Sequence, residues 1–179
     1  MAQSDVELKV LRQHWIRDDG VYDPQDLCSH GEAFIQIGDE VLSTESNGSW
    51  TLSVAALFLM RTLDRDIDFM GNDNHLVPCC GHEIYPLPEA KNGLLIQGCG
   101  SGIDWKVSHQ GQVVELQTVG GARARIALRA YQDAIIGFAK DVARFYGNLE
   151  DKDVSGNHID VEGFNLFWAE WRSTMRNWS

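Results

Sequence analysis

Within residues 151–162, DKDVSGNHIDVE, oxygen-bearing side chains recur at a spacing that suits a calcium ion. Asp151, Asp153, Ser155 and Glu162 fall at the first, third, fifth and twelfth places of a loop, and Gly156 holds the sixth, where the chain must turn sharply. A second set offers softer donors: Cys28 and His30, then His75, Cys79, Cys80 and His82, with Cys99 further on. Zinc takes four such ligands, often in pairs two to four residues apart. Cys28-Ser29-His30 and Cys80-Gly81-His82 leave only one residue between donors, which is tight for a tetrahedral site. The same residues could serve as a Cys/His nucleophile pair, but no local signature accompanies them.

The 151–162 segment resembles the loop of EF-hand proteins, and the resemblance is confined to the loop and its flanks. The eighth place holds His158 where that family carries a branched aliphatic, and Ile159 comes one residue late. The preceding helical pattern stops at Gly147, short of the first ligand, and no second loop is present to pair with this one. The expectation is an acidic turn between two helices, with calcium held by Asp151, Asp153, Ser155 and Glu162 as the alternative. Residues 94–102, LLIQGCGSG, resemble the glycine-rich first motif of S-adenosylmethionine-dependent methyltransferases. A strand pattern follows where that family needs a helix, and Ile96 stands where an acidic residue is usual. These glycines are therefore expected to serve a turn or bulge, and no cofactor is expected.

The elements that would position these groups can be read from periodicity. Residues 6–11 alternate as a strand, and 33–43 form a hairpin about Gly38-Asp39. A helix is expected from Ser49 or Thr51 to about Arg65, with Val54, Leu57, Phe58 and Leu63 toward a core. Residues 66–93 hold Gly, Asn and Pro and read as irregular. LLIQGC is a short strand. Residues 103–118 read as two strands split at Ser108-His109-Gln110-Gly111, and ARARIAL continues an antiparallel meander. From Arg129 to Tyr146 the period becomes helical, with Tyr131, Ile135, Phe138, Val142 and Phe145 in one stripe and Gly147-Asn148 as the stop. A final helix spans Phe164 to Trp178, with Trp168 and Trp171 toward the core and Trp178 outside it. The class is α+β, with an antiparallel meander packed against three to four helices in a single domain over 1–179, to which the helix at 163–178 is joined or appended.

The 179 residues are 44% hydrophobic with six Trp, enough for one full core. No run approaches the ~20 apolar residues that span a bilayer. The start, MAQSDVELKV, has no apolar leader, and four Cys make no disulfide framework, so a cytoplasmic chain with reduced thiols is expected.

The net charge of −11 lies wholly in residues 1–90, which carry 16 acidic and 5 basic side chains; the remainder carries 10 of each. Such a field repels nucleic acid and anionic membrane and attracts basic proteins. The acidic runs Asp18, Asp19, Asp23 and Asp64, Asp66, Asp68 are the expected contacts.

The segments PCCGHEIY (78–85) and GCGSGIDWKVSHQGQVVEL (98–116) resemble, in texture, the small acidic immunity-type proteins of bacterial toxin systems. That resemblance implies a non-enzymatic protein that occludes the active site of a basic toxin. It carries no motif residue by residue. The other reading is a metal-binding protein using the 151–162 loop or the Cys/His set.

Overall fold

The computed structural model describes residues 6–69, 75–79, 83–90, 93–156 and 158–178. Val6–His14 (β1), His30–Ile37 (β2) and Glu40–Ser43 (β3) form an antiparallel sheet in that order, and the short Trp50–Thr51 (β4) pairs with the start of β2. The hairpin about Gly38 forms as its alternation predicts, turning through a left-handed glycine at φ 61°. The pairing of β1 with β2 slips between Val10 and Arg12, so Leu11 bulges outward. At this slip a Cβ on Gly31 would come within 2.0 Å of the Arg12 carbonyl oxygen, so only glycine fits opposite the bulge.

Trp105–Gln110 (β9), Val113–Thr118 (β10) and Arg123–Ala127 (β11) make the expected meander. Two short ladders complete the strands: Val77–Pro78 (β5) with Gly102–Ile103 (β8), and Glu83–Pro86 (β6) with Leu94–Gln97 (β7). In the meander Trp105, Val107, Val114, Leu116, Ala124 and Ile126 turn inward, as strict alternation requires. The turn lies at Gly111-Gln112, so β9 runs through the Ser108-Gln110 segment that the sequence reads as a break. Part of the 66–93 stretch also differs from expectation, since β5 and β6 lie within it.

Three helices pack on these sheets among the described residues. Leu52–Arg61 (α1) is shorter than the expected span to Arg65 and is buried on every side rather than along one stripe. It is covered by β2 and β5 and by both other helices, so a predominantly apolar sequence is what its place demands. Leu128–Tyr146 (α2) lies along α1 and β1 with the predicted stripe inward. His158–Trp178 (α3) covers β6 and β7 and begins six residues before the expected start.

Gly163 sits inside α3. A Cβ there would stand 2.2 Å from the Ile84 carbonyl oxygen, so the glycine lets helix and strand touch. Arg61 grips Glu170 through two bonds of 2.7 Å, tying α1 to α3.

The core is one continuous cluster. Trp15, Tyr146, Trp168 and Trp171 run through it as a chain of rings 4.8–5.1 Å apart, so Trp168 and Trp171 are core residues as expected. Trp178 is half-buried and packs at the core margin. Antiparallel sheets with helices packed against them make the class α+β. No helix among the described residues is long and apolar enough to cross a membrane.

Candidate functional site

The turn-rich segment after β1 is tied at both ends by one carboxylate. Asp26 accepts from the backbone N–H of Ile16 at 2.7 Å and from that of Cys28 at 3.1 Å. Burial alone would raise the Asp26 pKa. His30, whose Nε2 lies 3.6 Å away, and the two amides outweigh it and hold the carboxyl below its ordinary range. Inside the loop Asp18 takes a left-handed backbone at φ 48°, which a short polar side chain tolerates. Asp19 caps the N–H of Val21 and Asp23 that of Gln25, each two residues ahead. A closed loop over 16–28 results.

Lys152 clamps this loop from below. Although a lysine, it is 7% exposed, and its Nζ donates to the carbonyl oxygens of Asp23 at 2.7 Å and Asp26 at 2.6 Å. The ammonium also lies 3.2 Å from the centre of the Trp15 ring and 4.7 Å from that of Tyr22. Burial draws its pKa down to about 8, against the pull of Asp26 and Asp23. Asp153 adds a backbone bond to Pro24, and the Tyr146 hydroxyl donates to Leu27 while accepting from the Ser29 amide.

What this clamped loop presents is apolar. Ile16 is 68% exposed, Val21 65% and Tyr22 41%, and the bulged Leu11 is exposed on the preceding strand. Beside them a cavity of about 400 Å³ opens between Arg12, His14, Trp15, Asp18, Tyr22 and Phe145.

The acidic residues singled out by sequence divide into two places. Asp18 pairs with Arg12, Asp19 remains exposed, and Asp23 is turned inward, with its other oxygen 3.4 Å from Arg17. Asp64 lies 3.7 Å from Arg65, and Asp68 bonds Lys106 at 3.0 Å. Asp66 accepts from the backbone and ring of His109, and the backbone bond foremost lowers its pKa. His109 packs on Tyr131 near the start of α2, whereas Trp15 packs on Phe145 and Tyr146 at its end. At ~1.5 Å per helical residue these anchors are ~22 Å apart, so the two runs do not form one patch.

The 151–162 segment begins in a short 3₁₀ turn, Leu149–Asp151, and Glu162 lies on α3. The second residue of the pattern, Lys152, is the one turned inward, while Asp151 and Asp153 face outward and the Asp153 carboxylate is taken by Ser155. Among the described residues no three His, Cys, Asp or Glu side chains gather as a cation site. Of the soft donors, Cys80 and His82 lie outside the described residues. Burial first, and Asp26 second, push the Cys28 thiol up to about 12, and His30 is held by Asp26. Among the described soft donors, His75 has both ring nitrogens buried without a hydrogen-bond partner. Of the glycine-rich 98–102, Gly102 opens β8 in place of a helix, and a Cβ on it would stand 2.6 Å from the Val77 carbonyl oxygen.

Sequence reasoning missed Lys152 and Asp26, which assemble the loop. Lys152 is a lysine between aspartates and reads as a solvated charge. The one available signal was the density of short polar residues over 16–28, which predicts turns but not what closes them. No family model, curated protein or solved structure matches the chain.

Proposed function

We propose that this chain is a protein-binding protein whose contact element is the clamped loop 16–28, and that its partner is a basic protein. One observation carries the reading: a loop fixed at its base by Asp26 and Lys152 nonetheless leaves Ile16 and Val21 about two-thirds exposed. A preorganised loop loses little conformational entropy on binding, and exposed large apolar side chains on it gain most by being covered. The exposed Asp19 at its rim, in the acidic half of the chain, favours a positively charged partner and speeds its approach.

The narrower form of this reading is an immunity-type role, in which the loop covers the active site of a basic bacterial toxin. It rests on the texture of residues 78–118 and on the charge balance. The test joins capture to phenotype. Tagged protein is used at low salt to isolate a basic partner from its source lysate, and that partner is then expressed alone and with this chain. The expected result is growth arrest by the partner alone, relief on co-expression, and loss of relief with Ile16→Glu/Val21→Glu. Unchanged binding by that double variant overturns the loop as the contact. A partner without toxicity overturns the immunity role.

A further inference from the structure

The polar groups at the end of the first sheet make an arrangement that the binding reading does not use. His14 is the last residue of β1 and faces His30 across the ladder, their rings 6.2 Å apart. Its Nδ1 lies 2.8 Å from the carbonyl oxygen of Trp15. A carbonyl only accepts, so Nδ1 carries the hydrogen and Nε2 of the neutral ring is left with its lone pair outward. That Nε2 lies 3.1 Å from Ser49 Oγ, so the serine hydroxyl is the donor in this bond. The His14 ring is largely buried, its side chain 13% exposed, and is therefore held in place. Asp18 Oδ1, 3.9 Å from Nδ1, is already bonded to Arg12, so it is the Trp15 carbonyl that orients the ring. Ser49 itself is exposed, and it follows Gly48, beside whose backbone there is open space. Nucleophile, base and orienting group thus stand in the order that activates a hydroxyl.

We propose that Ser49 is a nucleophile activated by His14 that accepts the acyl group of a small activated carboxylic ester. In this step Ser49 Oγ attacks the ester carbonyl carbon while its proton passes to His14 Nε2. The bond from that carbon to the leaving oxygen breaks, the leaving oxygen takes the proton from Nε2, and an acyl-serine remains. Water attacking by the same route returns Ser49 and releases a carboxylic acid. No oxidant, reductant or metal enters the balance. The open space beside Gly48 leaves the exposed Ser49 accessible to a small ester.

The test is covalent labelling of the full chain with a fluorophosphonate probe, followed by intact mass and peptide mapping. Here Oγ bonds phosphorus, the P–F bond breaks, and fluoride leaves as the proton goes to His14. One adduct per chain on Ser49 is expected, absent in Ser49→Ala and formed about a hundredfold more slowly in His14→Gln, the usual scale of a general base. p-Nitrophenyl acetate should likewise release a burst of one equivalent of nitrophenol, lost in Ser49→Ala. Chain unfolded in guanidinium chloride is a control independent of any variant, because the pairing exists only in the fold. No adduct on the folded chain overturns the proposal. So does a Ser49 adduct forming equally fast in His14→Gln or in the unfolded chain.

Discussion

The Lys152 ammonium sits 3.2 Å from the centre of the Trp15 ring while donating to the carbonyl oxygens of Asp23 and Asp26. One cation therefore satisfies two backbone acceptors of the loop and rests on the aromatic chain that runs through the core. An ammonium suits this place because it is compact, and a planar guanidinium could not meet both carbonyls from above a ring.

Lys152→Ala should cost about 3 kcal/mol, combining the desolvated cation–π contact with carbonyls left unpaired. Lys152→Arg should recover less than half of it. Chemical denaturation measures the loss, and hydrogen exchange locates it. The amides of Ile16 and Cys28 should lose protection first while those of α1 keep theirs. Uniform loss across the chain would mean that the clamp is not local.

Asp26 sets a pH dependence. Its folded pKa lies below the ordinary 3.8, so the stability it contributes is complete above that value and drains as pH falls through the lowered pKa. Asp26→Asn should be less stable at pH 7, with a shallower fall in stability below pH ~4 than the wild type. Thermal melts from pH 2 to 7 compare the two slopes. Parallel acid limbs would remove Asp26 as the cause.

Two helical glycines should respond oppositely to one methyl group. Gly137 on α2 has nothing within 4 Å of its added Cβ, so Gly137→Ala should stabilise by about 1 kcal/mol through helix propensity. Gly163 on α3 meets the Ile84 carbonyl oxygen at 2.2 Å, so Gly163→Ala should destabilise by about 2 kcal/mol despite the same propensity gain. Calorimetry on both variants decides. Stabilisation by both would place α3 further from β6.

Calcium added to chelator-treated protein should leave the melting temperature unchanged, because Lys152 is turned into the core beneath the loop and Ser155 already occupies Asp153. A saturable rise that is lost in Asp151→Ala would restore the calcium reading of 151–162.

Local period was enough to reveal the meander of β9–β11, the inward stripe of α2 and the hairpin at Gly38. Each follows from neighbours a few residues apart, where alternation or helical spacing leaves one face to bury. The early start of α3 was hidden because residues 158–162 read as the end of the acidic 151–162 turn. Likewise α1 reads as amphipathic until elements close over its other side.

The acidic runs show the same limit. Composition placed every excess negative charge in residues 1–90, but it could not say that Asp23 turns inward or that Asp66 is spent on His109. Nor could it bring Lys152 to Asp23, 129 positions away, or Ser49 to His14, 35 positions away. The sequence by itself determined the class, the meander and its following helix, and the charge of each half, because these depend on local pattern and on sums. Which polar groups became struts and which stayed free was decided by tertiary structure alone. A buried donor must find its acceptor wherever the packed chain happens to place one.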